Sequence, residues 1–228
     1  DSRVANLPWV GFTLKWYKDL FNDYLVIDAF RNSVIVALTT SILATAIGTS
    51  AAFPLVRSQF RLKETLRIAF IMPIMIPGLL IGVALLVFFA SLLGMGLSLV
   101  TVVIGHVVLT TPFVLLVVTA RLLDFDRTLE WAAADLGANP AETFRRVTLP
   151  LIMPGVLAGA LFAFTLSLDE FVITLFTIGP QSTLPMYIFS QVKFGVTPKV
   201  NALATLLLMG SVAILFSVFA IISGKGSK

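Results

Sequence analysis

The chain has 228 residues, 58% of them hydrophobic and 12% charged, with a mean hydropathy of +1.00. A soluble domain carries about 25% charged residues, so the composition excludes an ordinary soluble enzyme and points to an integral membrane protein. The net charge of +4 calls for no nucleic acid, because basic residues collect in cytoplasmic membrane loops, and the absence of cysteine excludes disulfide and thiolate chemistry.

The sequence opens at Asp1 without a methionine, a basic leader or a signal-like apolar run. The expectation is that one more spanning helix precedes it. Within 1–31, "TLKWYKDLF" reads as a short helix on the outer surface. Thr13 is its candidate N-cap, and Leu14, Tyr17 and Phe21 share one face. Trp9, Trp16 and Tyr17 suit the headgroup level, and a solute contact is the rival reading for this segment.

Five spans follow, each long enough to cross about 30 Å of hydrocarbon. The first is Ser33 to Val56, ended by the basic run Arg57, Arg61, Lys63 and Arg67. The second, Ile68 to Leu93, is broken by Pro73, Pro77 and Gly78. Irregular backbone at membrane depth is tolerated where protein covers it or where it lines a cavity, which makes these three residues candidates for a flexing pathway wall. A kink that only improves packing is the alternative. The third span, Leu97 to Ala120, holds His106, the single histidine, near Thr110 and Thr111. A lone intramembrane histidine more often bonds a neighbouring helix than a ligand, and no second ligand has metal-site spacing.

Between the third and fourth spans lies a polar segment with its own punctuation. Asp126 can cap a helix running to Leu136, and Gly137 stands where a left-handed residue ends it. Asn139, Pro140 and Glu142 read as N-cap, N1 and N3 of a second helix. Pro150 either stops that helix or bends it into the next span. Ala132, Ala133 and Ala134 would let another surface approach closely, and Glu130 and Asp135 could meet basic residues on a partner.

The fourth span, Leu151 to Phe176, contains the only acids within a predicted span, Asp169 and Glu170. Charges at membrane depth are functional candidates by default. About 18 residues into the span they fall toward the outer leaflet, where an acid pair could attract a cationic amine. An interfacial packing role, or pairing with Lys193, is the alternative. Phe88, Phe89, Phe162, Phe164 and Phe171 could stack on such a cation, without a basis for choosing among them. The fifth span is Ala202 to Ile222.

Ten basic residues fall on one side: Arg57, Arg61, Lys63, Arg67, Arg121, Arg127, Arg145, Arg146, Lys225 and Lys228. Six fall on the other: Arg3, Lys15, Lys18, Arg31, Lys193 and Lys199. The positive-inside rule puts 121–149 in the cytoplasm and 1–31 outside. The fold class is an all-α polytopic helical bundle with five transmembrane helices present, six expected in the intact protein, and a cytoplasmic helical hairpin, all in one domain, 1–228.

The hairpin resembles that of binding-protein-dependent ABC importer permeases, whose motif runs Glu-Ala-Ala, three residues, Gly, nine residues, Ile, any residue, Leu-Pro. Trp131-Ala132-Ala133, Gly137, Val147 and Leu149-Pro150 reproduce the spacing. Trp131 replaces the motif glutamate, and Glu130 lies one residue earlier. "FTLKWY", "SLDEFVITLF" and "KVNALATLLL" look like the spermidine/putrescine branch of that family. The resemblance implies that the hairpin, through Glu130, Trp131, Ala132, Ala133, Asp135, Gly137, Leu149 and Pro150, plugs into a cytoplasmic ATPase dimer. It implies a second, homologous permease completing a heterodimeric pathway, an extracytoplasmic solute-binding protein, and a bacterial inner-membrane location. ATP and Mg would reside in the ATPase, with no cofactor and no catalysis on this chain, where no phosphate-binding G-x-x-x-x-G-K-[ST] loop occurs. Rival solutes are an opine, another amine, an aminophosphonate or thiamine. A secondary transporter subunit is the rival class, though such proteins often show paired repeats and only one broken span is evident. A membrane scaffold is a third.

Overall fold

The computed structural model describes residues 13–194 and 197–224, and every regular element among them is helical. Trp9, Arg3, Lys225 and Lys228, used above for topology, lie outside the described residues. The chain forms two compact units, Arg31–Thr183 and a smaller one of Asp1–Phe30 with Leu184–Lys228. The division falls inside the second helix.

In the smaller unit α1 spans Lys15–Phe21, with the Lys15 N–H donating to Thr13 Oγ1 at 3.2 Å. Within its unit the helix packs through a neighbouring face, which shares Tyr17 with the Leu14–Tyr17–Phe21 face read from the sequence. Leu20 is buried with Trp16 and Tyr17 against it, whereas Leu14 and Phe21 are 78% and 69% exposed. The helix has only two turns and starts after Leu14, so positions 16, 17 and 20 make its packing face. The start of α2 (Tyr24–Arg57), α10 (Leu184–Phe194) and α11 (Pro198–Gly224) complete this unit. Its core gathers Leu20, Val26, Ala29, Leu184, Tyr187, Ala202 and Leu203. Asp23 caps α2 by accepting the Leu25 N–H at 2.9 Å, and it pairs with Lys199. Tyr187 donates its hydroxyl to the same carboxylate at 3.4 Å. Burial opposes ionisation of Asp23, yet the Lys199 ammonium and the backbone N–H groups together hold its carboxyl below the ordinary carboxylate range.

In the larger unit α2 contains the predicted first span, and its 34 residues measure about 51 Å. The second span is sharply broken: α3 (Lys63–Met75) and α4 (Gly78–Val87) meet at 105°. Pro77 makes the break by forcing Ile76 into an extended conformation, ψ 128°. Pro73 lies inside α3 and does not interrupt it, contrary to the sequence expectation; it removes one donor, that for the Ala69 carbonyl, and the helix runs on to Met75. A π-helical turn, Phe88–Leu92, ends this stretch.

Helix α5 (Leu99–Leu123) is the centre of the unit. More than half of its apolar window, 56%, is buried within the chain, against 28% for α2 and 22% for the stretch Pro140–Asp169. The remaining apolar surface is available to lipid and to neighbouring subunits. Ser98 starts α5 with a reciprocal box: its hydroxyl accepts the Val100 N–H, and its own N–H donates to Thr101 Oγ1 at 2.8 Å. Small residues allow close helix crossings. A Cβ on Gly48 of α2 or Gly159 of α8 (Leu149–Asp169) would lie 2.9 or 3.2 Å from the Val114 side chain.

The predicted fourth span, Leu151 to Phe176, is two helices. α8 ends at Asp169, Glu170 is extended with ψ 113°, and α9 runs Val172–Thr177. The Glu170 carboxylate accepts the Ile173 N–H at 2.9 Å, so an acid competing for backbone donors starts a new helix instead of continuing the old one.

Candidate functional site

The cytoplasmic hairpin is built as its punctuation dictates. Helix α6 covers Thr128–Asp135, and Asp126 Oδ1 accepts the Thr128 N–H at 2.9 Å. That backbone bond, with help from the Thr128 hydroxyl, holds the Asp126 carboxyl below its ordinary value. Gly137 has φ +87°, and the Gly137 and Ala138 N–H groups return to the Ala134 and Ala133 carbonyls at 2.9 and 3.0 Å. This paired closure satisfies two orphan acceptors of α6 and requires a left-handed residue. A Cβ on Gly137 would touch nothing within 4 Å, so only its backbone angle selects glycine. Asn139 and Glu142 bond reciprocally at 3.0 and 3.3 Å to begin α7 (Pro140–Thr143).

Pro150 does not stop the second hairpin helix. A π-helical turn, Phe144–Thr148, carries it into α8, giving one helical stretch of 30 residues, Pro140–Asp169. The wider turn falls where Pro150 lacks the donor for the Arg146 carbonyl.

The side chains of α6 divide into two sets. Trp131 and Leu136 are 61% and 90% exposed, Ala132, Asp135 and Gly137 are exposed, and Ala133 is half-buried. Glu130 points inward, with its side chain 13% exposed. Arg57 Nη2, at the end of α2, lies 2.8 Å from Glu130 Oε1, close enough for an ion pair but off the axis of a hydrogen bond. The buried Thr148 hydroxyl donates to the same oxygen. The Arg57 guanidinium sits 5.3 Å from the Phe53 ring and 5.5 Å from the Phe125 ring. The two acids predicted to face a partner therefore separate: Asp135 is exposed, and Glu130 is already held within the chain. Arg57 was read from sequence only as a topology marker, and nothing in its local pattern announces this contact across 73 residues. Leu149 packs on the core and Pro150 is exposed.

Near the far end of α8 the helices meet at a second constellation. Asp169 is exposed and makes no ion pair among the described residues, whereas Glu170 is half-buried and caps α9. His106, 1% exposed, bridges Ser167 through Nδ1 and Thr174 through Nε2, both at 2.8 Å. Thr174 gives its own hydrogen to the Glu170 carbonyl at 2.9 Å. In the neutral ring, Nε2–H therefore donates to Thr174, and Nδ1 accepts from Ser167. The histidine ties α5 to α8 and α9 on both sides of the break. Helices α4 and α5 both pack closely on α9: a Cβ on Gly82 of α4 would lie 2.8 Å from Phe176, and one on Gly105 of α5 would lie 2.7 Å from Ile173. The structure thus brings α4, through Gly82, against α9, while Gly78 stands at the start of that helix with open space around it and Pro73 lies before the bend on α3.

A family model for the binding-protein-dependent transport system inner membrane component matches residues 44–225. The chain belongs to this family. It is an inner-membrane, multi-pass permease of the ABC importer class, not an enzyme, and ATP hydrolysis resides in a separate subunit. An ATPase, a second permease and a binding protein are the partners that this class implies. The permease is 40% identical over 221 residues to the putrescine transport system permease protein PotI of Escherichia coli (strain K12), covering 94% of this chain and 78% of that protein. It is 40% identical over 218 residues to the spermidine/putrescine transport system permease protein PotC of the same strain, covering 95% and 82%. A bacterial ABC transporter that imports the acidic polysaccharide alginate aligns with a TM-score of 0.74 at 17% identity, over 98% of this chain and 86% of that one. The inward-facing MetNI methionine ABC transporter aligns with a TM-score of 0.73 at 20% identity, over 88% and 96%. At those identities the solved structures establish the permease fold alone. The secondary-transporter and scaffold readings fall away.

Proposed function

We propose that this permease forms one half of the translocation pathway for a small cationic amine of the polyamine class. The observation that carries the substrate class is the 40% identity to both PotI and PotC over at least 94% of the chain. The exposed carboxylate of Asp169 suits a cation. Two opposite unit charges about 4 Å apart attract by ~1 kcal/mol in water and by ~4 kcal/mol near a protein surface, enough to recruit an amine and still release it. Glu170 shapes the break that presents Asp169, and the bend at Pro77–Gly78 supplies a wall able to flex, with Pro73 stiffening the helix before it.

Residues 1–31 lie on the extracytoplasmic side and 121–149 form the coupling loop, within a single permease domain. Trp131, Ala132, Ala133, Asp135 and Gly137 dock in a groove of the ATPase, and Leu149 and Pro150 join the docked piece to the membrane. About 30 Å of helix separates Leu149 from Asp169, so the motor end and the solute end stand a bilayer apart on one helix. A homologous second permease completes a heterodimeric pathway, and a binding protein delivers the amine. Closure of the ATP-loaded motor draws the hairpins together and opens the pathway outward; hydrolysis resets it. The chain itself holds no cofactor, ATP and Mg being bound by the ATPase.

The test is ATP hydrolysis by the lipid-reconstituted complex with its binding protein, offered spermidine, putrescine, an opine, an aminophosphonate or thiamine in turn. Stimulation confined to the polyamines is the expected result, and Asp169→Asn should weaken uptake while the complex still assembles. Stimulation by another solute alone overturns the polyamine assignment.

A further inference from the structure

We propose that Glu130, Arg57 and Thr148 form the joint that fixes the coupling hairpin to the membrane helices, and that Glu130 is a positioning residue for transport and does not contact the ATPase. The inference rests on the hairpin being the ATPase-docking element.

Glu130 and Trp131 are neighbours in the chain, and one step along a helix is about 100° of rotation. Trp131 occupies the position of the motif glutamate and faces outward; Glu130 therefore cannot face the same way. It faces α2. No residue of α6 is buried, so no apolar side chain of its own seats this helix in a core. What seats it is polar: Oε1 of Glu130 receives both the Arg57 guanidinium from the last turn of α2 and the Thr148 hydroxyl from the π-helical turn that leads into α8. Three segments meet at one oxygen.

The surroundings favour that arrangement. Glu130 stands in the first turn of α6 and Arg57 in the last turn of α2, so each charge complements its own helix dipole. Phe53 and Phe125 lie against the guanidinium, which a planar Arg exploits and a Lys ammonium does not match. Phe53 also meets Phe144 of the π-helical turn edge to face, with centroids 5.4 Å apart. Displacement of α6 by the motor therefore pulls on α2 and on the base of α8 together. With the joint cut, the hairpin still docks, but its movement is no longer shared with α2.

The experiment measures two quantities on the reconstituted complex: co-purification of the ATPase, and solute transported per ATP hydrolysed. The variants are Glu130→Gln, Arg57→Gln and the double variant. Expected are full co-purification, a fall in transport per ATP between about twofold and thirtyfold for each single variant, and a double variant no worse than the poorer single one. Loss of the ATPase from folded Glu130→Gln overturns the proposal, because Glu130 then contacts the motor. Unchanged transport per ATP overturns it too, as does an additive double variant. If Glu130→Gln does not yield a folded complex, Arg57→Lys decides by the same readouts: it keeps the charge, loses the two-ring stack, and should lower transport per ATP with the ATPase still bound. Ala133→Asp isolates the underlying reading, since a bulky acid on the docking face should release the ATPase. If it does not, the coupling assignment of the hairpin is what has failed.

Discussion

Replacing His106 should separate a packing role from a solute role. The ring is 1% exposed and makes two hydrogen bonds of 2.8 Å, to Ser167 and Thr174. Side-chain bonds between helices in membranes contribute about 0.6 kcal/mol each on average and up to ~1.7. Two of them are then worth about 1–3 kcal/mol. His106→Phe keeps an aromatic ring, slightly larger than imidazole, and removes both bonds without opening a cavity, leaving the Ser167 hydroxyl without its acceptor. His106→Ala also opens a cavity, and large-to-small changes in a packed core cost about 2–5 kcal/mol. The expected order is wild type, then Phe, then Ala. At roughly 2–4 °C per kcal/mol for a chain of this size, the Ala variant should lose at least ~6 °C in the midpoint of thermal unfolding in lipid nanodiscs. The KM for solute uptake by the surviving complexes should not move. An unchanged midpoint for His106→Ala, or a raised KM at an unchanged midpoint for His106→Phe, would refute the reasoning and put His106 on the solute.

Two other expectations follow from single contacts. A Cβ on Gly179 would lie 2.1 Å from the Leu97 carbonyl oxygen, backbone that cannot swing aside, while Thr101 bonds the Thr177 carbonyl at 2.7 Å next to it. Gly179→Ala should therefore cost about 1.5–4.5 kcal/mol, overpacking plus one lost hydrogen bond, visible as poor yield or an early melt; a wild-type melt would contradict it. Asp23 is held below its ordinary 3.8 in the folded state, so its contribution is full at pH above that value and is lost as pH falls through the lower folded value. Asp23→Asn should lower stability at neutral pH and flatten the acid limb of the stability–pH curve below about pH 4, and an unaltered acid limb would contradict the Lys199 pairing.

Local chemistry was readable in the sequence, and contacts between distant segments were not. Gly137, Asn139, Pro140 and Glu142 each state a backbone requirement that neighbours within four residues satisfy, and the structure meets all of them. The break at Pro77 was legible because proline constrains the residue before it. Pro73 misled, since a proline removes one backbone donor and need not end the helix that holds it. The fourth span read as continuous because hydropathy does not register that Glu170 reaches forward to the Ile173 N–H. Arg57 and Glu130 each looked like an ordinary loop charge, and only the packing of α2 against the hairpin turns them into a pair.

The uninterrupted stretch from Pro140 to Asp169 carries a mechanical consequence. Its 30 residues make one continuous helical stretch of about 45 Å, so a movement of the cytoplasmic tip is handed to the outer tip through helix alone, with no loop between them. The wide turn at Phe144–Thr148 sets the phase of that stretch. One residue inserted there would advance the hairpin by about 1.5 Å and rotate it by about 100° relative to Asp169, turning the Trp131 face away from its motor while every individual contact in the membrane stayed in place.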